Sequence, residues 1–342
     1  MQSKAKHVVV LGTGGTIAGK SPDPANEARY ESAAIGVDAL VAAIPGLADV
    51  PLQVEQVAQI DSKDMSFAVW RDLAARVVHH LADAEVAGIV ITHGTDTLEE
   101  TAYFLQRLLA PAKPVVLTAA MRPTTALMPD GPQNLLDAVT VANSSGARGV
   151  LVAMAGSVFA GAEARKSHTY KLDTFGAGDH GPVAVMRTGR IRQWRDWPDG
   201  AAIGFDALPR DDDEWPWVEI VTNTAGESGA AVRALVRAGV KGIVAAGTGN
   251  GTLHVDLQAA LTQARSQGVK VLRCSRCAAG GVSDAAFGVS PAHSSSSTNE
   301  GDDEMFPSTG DITPAQARVE LMLQLMLEPI PEPDASPLSK SE

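Results

Sequence analysis

The run His7-Val8-Val9-Val10-Leu11 passes directly into Gly12-Thr13-Gly14-Gly15-Thr16. Consecutive apolar residues with no polar alternation suit a strand buried on both faces, and such strands belong to parallel sheets covered by helices. Further strand candidates lie at 52–60, 88–92, 114–119 and 149–154, with amphipathic helical stretches near 36–44, 66–82, 97–110 and 132–143 between them. The fold class expected is α/β.

Residues 208–217, Leu-Pro-Arg-Asp-Asp-Asp-Glu-Trp-Pro-Trp, break this rhythm and read as a linker. The alternation then resumes with strands at 218–221, 242–246 and 269–272 and helices near 228–238 and 254–266. A last helix is expected over 313–327, with Pro314 in its first turn. Two α/β domains follow: a larger one over 1–207 with a mixed, mostly parallel sheet, and a smaller one over 218–342 with a parallel sheet. The polar stretch 294–304 is expected to be an exposed mobile loop.

Composition narrows the function. A chain of 342 residues can bury two cores, and a formal charge of −12 disfavours a nucleic-acid partner. No apolar stretch reaches the roughly 18 residues a membrane helix needs, so no membrane partner is expected. The N-terminus reads as a first strand and not as a signal peptide, which points to the cytoplasm, although a chain whose leader had been removed would read the same way. Cys274 and Cys277 form one C-x-x-C, too few ligands for a structural zinc site, and are read as structural cysteines. There is no H-E-x-x-H and no G-x-S-x-G, and nothing calls for a metal or a cofactor.

Glycine and threonine collect where strands end: Gly12-Thr13-Gly14-Gly15-Thr16, His93-Gly94-Thr95-Asp96-Thr97 and Gly247-Thr248-Gly249-Asn250-Gly251-Thr252. Loops at the carboxyl ends of parallel strands line the ligand crevice. The first two would supply threonine hydroxyls, backbone N–H groups and a carboxylate to one site, and glycine lets the backbone approach a small substrate closely. His93, beside a buried strand end, reads as a structural hydrogen-bonder. Gly14 to Ser21 also fits the P-loop pattern, but a P-loop must run into a helix, and here Pro22-Asp23-Pro24 follows. A nucleotide-hydrolysing reading is therefore set aside.

The segments Gly14-Gly15-Thr16-Ile17-Ala18 and Thr92-His93-Gly94-Thr95-Asp96-Thr97 resemble the two signature stretches of bacterial-type L-asparaginases. The likeness extends to Ala120-Met121-Arg122-Pro123, Asp130-Gly131-Pro132 with Asn134, and Gly249-Asn250-Gly251. It implies that Thr16 is the nucleophile, that Tyr30 helps remove its proton, and that Thr95, Asp96 and Lys166 form a second triad. Gly15, Ser62, Lys63, Ala120 and Asn250 join Thr95 and Asp96 around the substrate: Ser62 on the α-carboxylate, Asp96 on the α-ammonium, Ala120 through its carbonyl. It further implies a homotetramer in which Asn250 completes a neighbour's site. The reaction would be hydrolysis of L-asparagine, with some L-glutamine accepted. A non-hydrolytic amino-acid-binding protein on the same fold is the alternative, and such a binder would need only Asp96 and Ser62.

The chemistry is coherent. A threonine hydroxyl needs a neighbouring base to become a nucleophile, and Lys166 and Tyr30 are groups that can help. The loop 21–35, which carries Tyr30, is expected to close over substrate. Two positions depart from the family pattern. Lys63 stands where relatives carry Gln or Glu; pointing inward it would repel the substrate's ammonium, so it is expected to turn toward Asp61 or Asp64 unless the pocket takes a substrate lacking that charge. The segment 278–290 offers only Asp284 where many relatives place a glutamate, with Glu300 and Glu304 further on.

Overall fold

A computed structural model describes residues 6–23, 29–283 and 306–327 of the protein. The first five strands, β1 His7–Gly14, β2 Leu52–Ile60, β3 Val86–Thr92, β4 Pro114–Thr118 and β5 Gly149–Met154, lie parallel in the order β2-β1-β3-β4-β5. Apart from the edge strand β2, whose residues are half-buried or exposed, their apolar runs serve two cores at once, because successive side chains point to opposite faces. Val9 and Leu11 of β1, Ile89 and Ile91 of β3, and Val115 and Leu117 of β4 pack in one core; Val8, Val10, Val90 and Val116 pack in the other. Helices α2 Phe67–Leu81 and α3 Leu98–Leu109 cover the first face through Trp70, Leu73, Val77 and Phe104. Helices α1 Val37–Ala42 and α4 Gly131–Ala142 cover the second through Val37, Leu40, Leu135 and Ala138.

After β5 the sheet turns antiparallel. The short strands β6 Ser157–Ala160, β9 Ala184–Arg187 and β10 Arg190–Gln193 extend it to eight strands, while β7 Arg165–Lys166 and β8 Phe175–Gly176 pair as a separate ribbon. The larger domain therefore carries a mixed, mostly parallel sheet.

The smaller domain is a parallel sheet of β11 Val218–Thr222, β12 Gly242–Gly247 and β13 Lys270–Ser275, with α5 Ala230–Ala238 and α6 Val255–Ser266 over Val232, Ile243, Leu257 and Leu261. Its last helix, α7 Pro314–Leu327, is buried at Ala317, Val319, Leu321, Met322 and Leu323. A helix apolar around so much of its circumference belongs inside. It packs against α3 on one side and β12 on the other, so both domains share one core. Arg107 grips Glu320 of this helix through two hydrogen bonds of 2.7 and 3.0 Å, and the Tyr103 hydroxyl donates to the same carboxylate at 2.9 Å. Burial alone would raise the Glu320 carboxyl, but its hydrogen bonds from Arg107 and Gln324 outweigh it and hold it below the usual range. Within 208–217, Trp215 is buried and stacks on Phe67 with ring centroids 4.5 Å apart.

Candidate active site

In a sheet ordered β2-β1-β3-β4-β5 the strand order reverses between β1 and β3, and the crevice beyond their carboxyl ends is where such folds hold ligands. The two threonine-rich turns meet there. Gly14 and Gly15 have φ of 106° and 81°, a region side chains disfavour, which turns the chain out of β1. A Cβ on Gly15 would lie 2.4 Å from the Cα and N of Gly94, so the two turns touch backbone to backbone. A Cβ on Gly94 would in turn lie 2.4 Å from Ser62 Oγ. Two more bonds lock the junction: Thr13 Oγ1 donates to the Thr92 carbonyl at 2.9 Å and Gly15 N–H to the Ile60 carbonyl at 2.9 Å.

Thr16 opens a single 3-10 turn, Thr16–Ala18, and is buried. Its Oγ1 lies 2.7 Å from the Tyr30 hydroxyl. Beyond that turn Gly19 is extended and Lys20 bridges to Glu31, so no helix begins within 19–23, where a P-loop would need one to receive phosphate. Of the loop 21–35, residues 24–28 lie outside the described residues.

The second turn faces the first. Lys166 Nζ donates to Thr95 Oγ1 at 2.9 Å and to Asp96 Oδ1 at 2.6 Å. Ser62 braces the same turn: its Oγ accepts from Asp96 N–H at 3.2 Å, and its carbonyl accepts from Thr97 Oγ1 at 2.7 Å. Two hydroxyls thus stand in one crevice, each with its own hydrogen-bonded partner: Thr16 with Tyr30, Thr95 with an ammonium–carboxylate pair.

Lys63 is exposed, and its Nζ sits 2.8 Å from Asp64 and 3.2 Å from Asp61. Hydrogen bonds to these two acids hold its ammonium above the usual lysine range. Ala120 is buried just past β4, and Asp130 accepts from the N–H groups of Met121 and Arg122 at 2.9 and 3.0 Å, fixing that corner. The sequence motif thus contains a capping carboxylate that spacing does not reveal. Asn250 stands in the other domain, on the turn after β12, where its side-chain amide pairs with Ser283 N–H and carbonyl at 2.7 and 2.9 Å. Asp284, Glu300, Glu304 and the polar stretch 294–304 lie outside the described residues.

His93 is fully buried. Its Nδ1 lies 2.7 Å from the Gly94 carbonyl, which can only accept, so the proton is on Nδ1. Its Nε2 then accepts from Thr101 Oγ1 at 3.0 Å, and Thr101 receives Trp70 Nε1–H at 2.9 Å. Burial lowers the imidazole pKa to about 4, with the Gly94 bond working the other way. It is a neutral brace for the Gly94-Thr95 turn. Cys274 is buried, its thiol pushed up to about 12, and Cys277 is exposed; neither is in a disulfide. Among the described residues no cluster of three or more His, Cys, Asp or Glu could hold a metal, and no helix is long and apolar enough to cross a membrane.

The N-terminal domain of asparaginases matches residues 7–198, and the glutaminase/asparaginase C-terminal domain matches 217–332. The chain belongs to the asparaginase family. Among its asparaginase relatives, L-asparaginase 2 of Escherichia coli is 38% identical over 93% of this chain and 88% of its own length. A glutaminase-asparaginase of Pseudomonas fluorescens is 39% identical over 82% of this chain and 78% of its own. The crystal structure of a probable cytoplasmic L-asparaginase from Campylobacter jejuni superposes with a TM-score of 0.84 at 34% identity, covering 94% of this chain and 96% of that one. The asparaginase fold is thus common to both domains.

Proposed function

We propose that this protein is an L-asparagine amidohydrolase, converting L-asparagine and water into L-aspartate and ammonia, with L-glutamine as a lesser substrate. The observation that carries the reading is the crevice between β1 and β3, where two partnered threonine hydroxyls stand in turns that touch. Thr16 Oγ1 attacks the side-chain amide carbon while its proton passes through the Tyr30 hydroxyl to the departing nitrogen. Ammonia leaves, and a β-aspartyl ester remains on Thr16. Water, activated at Thr95 by the Lys166–Asp96 pair, cleaves the ester and restores the hydroxyl. Backbone N–H groups of the 12–16 turn stabilise the oxyanion in both steps; one such donor is typically worth about 100- to 1,000-fold in rate.

Ser62 holds the α-carboxylate, Asp96 the α-ammonium, and Gly15 and Ala120 border the reacting amide. Lys63, engaged with Asp61 and Asp64, leaves that ammonium alone. Asn250 serves the site of a neighbouring subunit in a homotetramer. Relatives named glutaminase-asparaginase support the dual amide specificity. We assign 1–207 and 218–342 as the domains, and the cytoplasm as the location; one relative is named cytoplasmic and another periplasmic, so cell fractionation tests the latter assignment. The test of activity is ammonia release by purified protein from L-asparagine beside L-glutamine. Turnover of asparagine is expected to exceed that of glutamine. No ammonia from either, with L-aspartate still bound, would replace the hydrolase with an amino-acid-binding protein.

A further inference from the structure

Lys166 reaches Thr95 and Asp96 from β7, a strand of two residues held to β8 by the pairs Arg165–Gly176 and Lys166–Phe175. So short a ribbon does not fix a long flexible side chain by itself. What fixes it comes from elsewhere. Glu99, in the first turn of α3, accepts from Lys166 N–H at 2.6 Å through Oε2, and from the Thr313 hydroxyl at 3.1 Å through Oε1. Thr313 caps α7 reciprocally with Gln316: its N–H donates to Gln316 Oε1 at 2.9 Å, and its Oγ1 accepts from Gln316 N–H at 3.2 Å. Gln316, fully buried, also donates from Nε2 to the Ala164 carbonyl at 2.9 Å. Between these anchors, Arg165 donates to the carbonyls of Ala278 at 2.7 Å and Asp311 at 3.0 Å.

Each residue of 164–166 is therefore tied, directly or through Glu99, to the smaller domain. We propose that Glu99 is a positioning residue for Lys166, through which the first turn of α7 sets the reach of the ammonium to Thr95 and Asp96. The proposal rests on the role given to Lys166 under Proposed function. Burial raises the Glu99 carboxyl, against the pull of its bonds from Lys166 N–H and Thr313. A carboxylate kept where its charge is disfavoured, with both oxygens bonded, is a directed strut and not a solvated surface group.

The test compares Glu99→Ala, Glu99→Gln and Thr313→Val in steady-state kinetics on L-asparagine, with a crystal structure of Glu99→Ala. Misplacing a reacting group by 1 Å can cost about 100-fold, so Glu99→Ala is expected to lower kcat by roughly 30- to 100-fold, with KM within about threefold. Glu99→Gln keeps an acceptor for Lys166 N–H and can donate to Thr313, and should restore kcat to within about fivefold of wild type. Thr313→Val should lower kcat by about three- to tenfold, and adding it to Glu99→Ala should cost nothing more, because both cut one strut. In the crystal, Lys166 Nζ should leave hydrogen-bonding distance of Thr95 Oγ1. A Glu99→Ala kcat within threefold of wild type, a loss confined to KM, or an unmoved Lys166 would each overturn the proposal. Should Glu99→Ala not fold, a Thr313→Val kcat equal to wild type overturns it as well. Should wild type release no ammonia, the function reading fails on its own, and the position of Lys166 in the crystal still decides this one.

Discussion

Replacing Gly15 with alanine tests how closely the two turns must meet. The new Cβ would stand 2.4 Å from Gly94 N and Cα and 2.7 Å from the His93 carbonyl carbon. Ordinary carbon contacts need about 3.5 Å, so the turns must part by about 1 Å. No side chain can give way, because all three atoms are backbone. Gly15 N–H is meanwhile held on Ile60 and Ser62 holds the other turn, so the opening separates Thr16 from Thr95. A displacement of that size costs about 100-fold in kcat. The φ of 81° with ψ of −175°, a region open essentially to glycine alone, adds roughly 1–3 kcal/mol of backbone strain, and the forced contact about 1–3 kcal/mol. The assay is kcat from ammonia release at saturating asparagine, beside urea unfolding. Gly156→Ala is the control: its φ is 76°, yet nothing lies within 4 Å of its Cβ. It should lose about 1–2 kcal/mol of stability and keep its kcat. A folded Gly15→Ala enzyme with kcat within threefold of wild type would show that the turns need not meet so closely.

Three further outcomes follow from named contacts. His93 takes its proton at about 4 when folded against about 6.5 unfolded, so the unfolded chain binds it first as pH falls and stability drops between those values. Wild type should lose about 2 kcal/mol more than His93→Gln between pH 7 and pH 5 in urea unfolding; parallel profiles would contradict this. Glu320→Ala strands Arg107 and the Tyr103 hydroxyl between the domains and should cost about 2–3 kcal/mol, read as a lower urea midpoint. Lys63→Gln, on an exposed side chain already paired with Asp61 and Asp64, should change kcat/KM for asparagine by less than about tenfold, since exposed ion pairs contribute little. A gain above about a hundredfold would mean that the lysine does reach the substrate.

Strands β1, β3, β4 and β5 were legible because each is an apolar run buried on both faces, and the crevice was legible because Gly-Thr turns end β1 and β3. The antiparallel extension was not. Strands β6, β9 and β10 have four residues each, and β10 is largely exposed, so their runs are too short to mark them as strands. Lys166 could be named from a motif, but its support could not, because Glu99 and Thr313 stand 67 and 147 positions away from it in the chain. Trp215 sits amid acids and prolines that read as solvent-exposed, yet it fills the core beside Phe67. Such facts depend on which distant elements pack together, and local pattern carries no record of that.

Asparagine turnover by Thr16→Ala decides whether Thr16 is the nucleophile. The variant should fold and still bind L-aspartate, with kcat lower by on the order of 1,000-fold or more. A variant that hydrolyses asparagine within tenfold of the wild-type rate would contradict it and move the chemistry to Thr95.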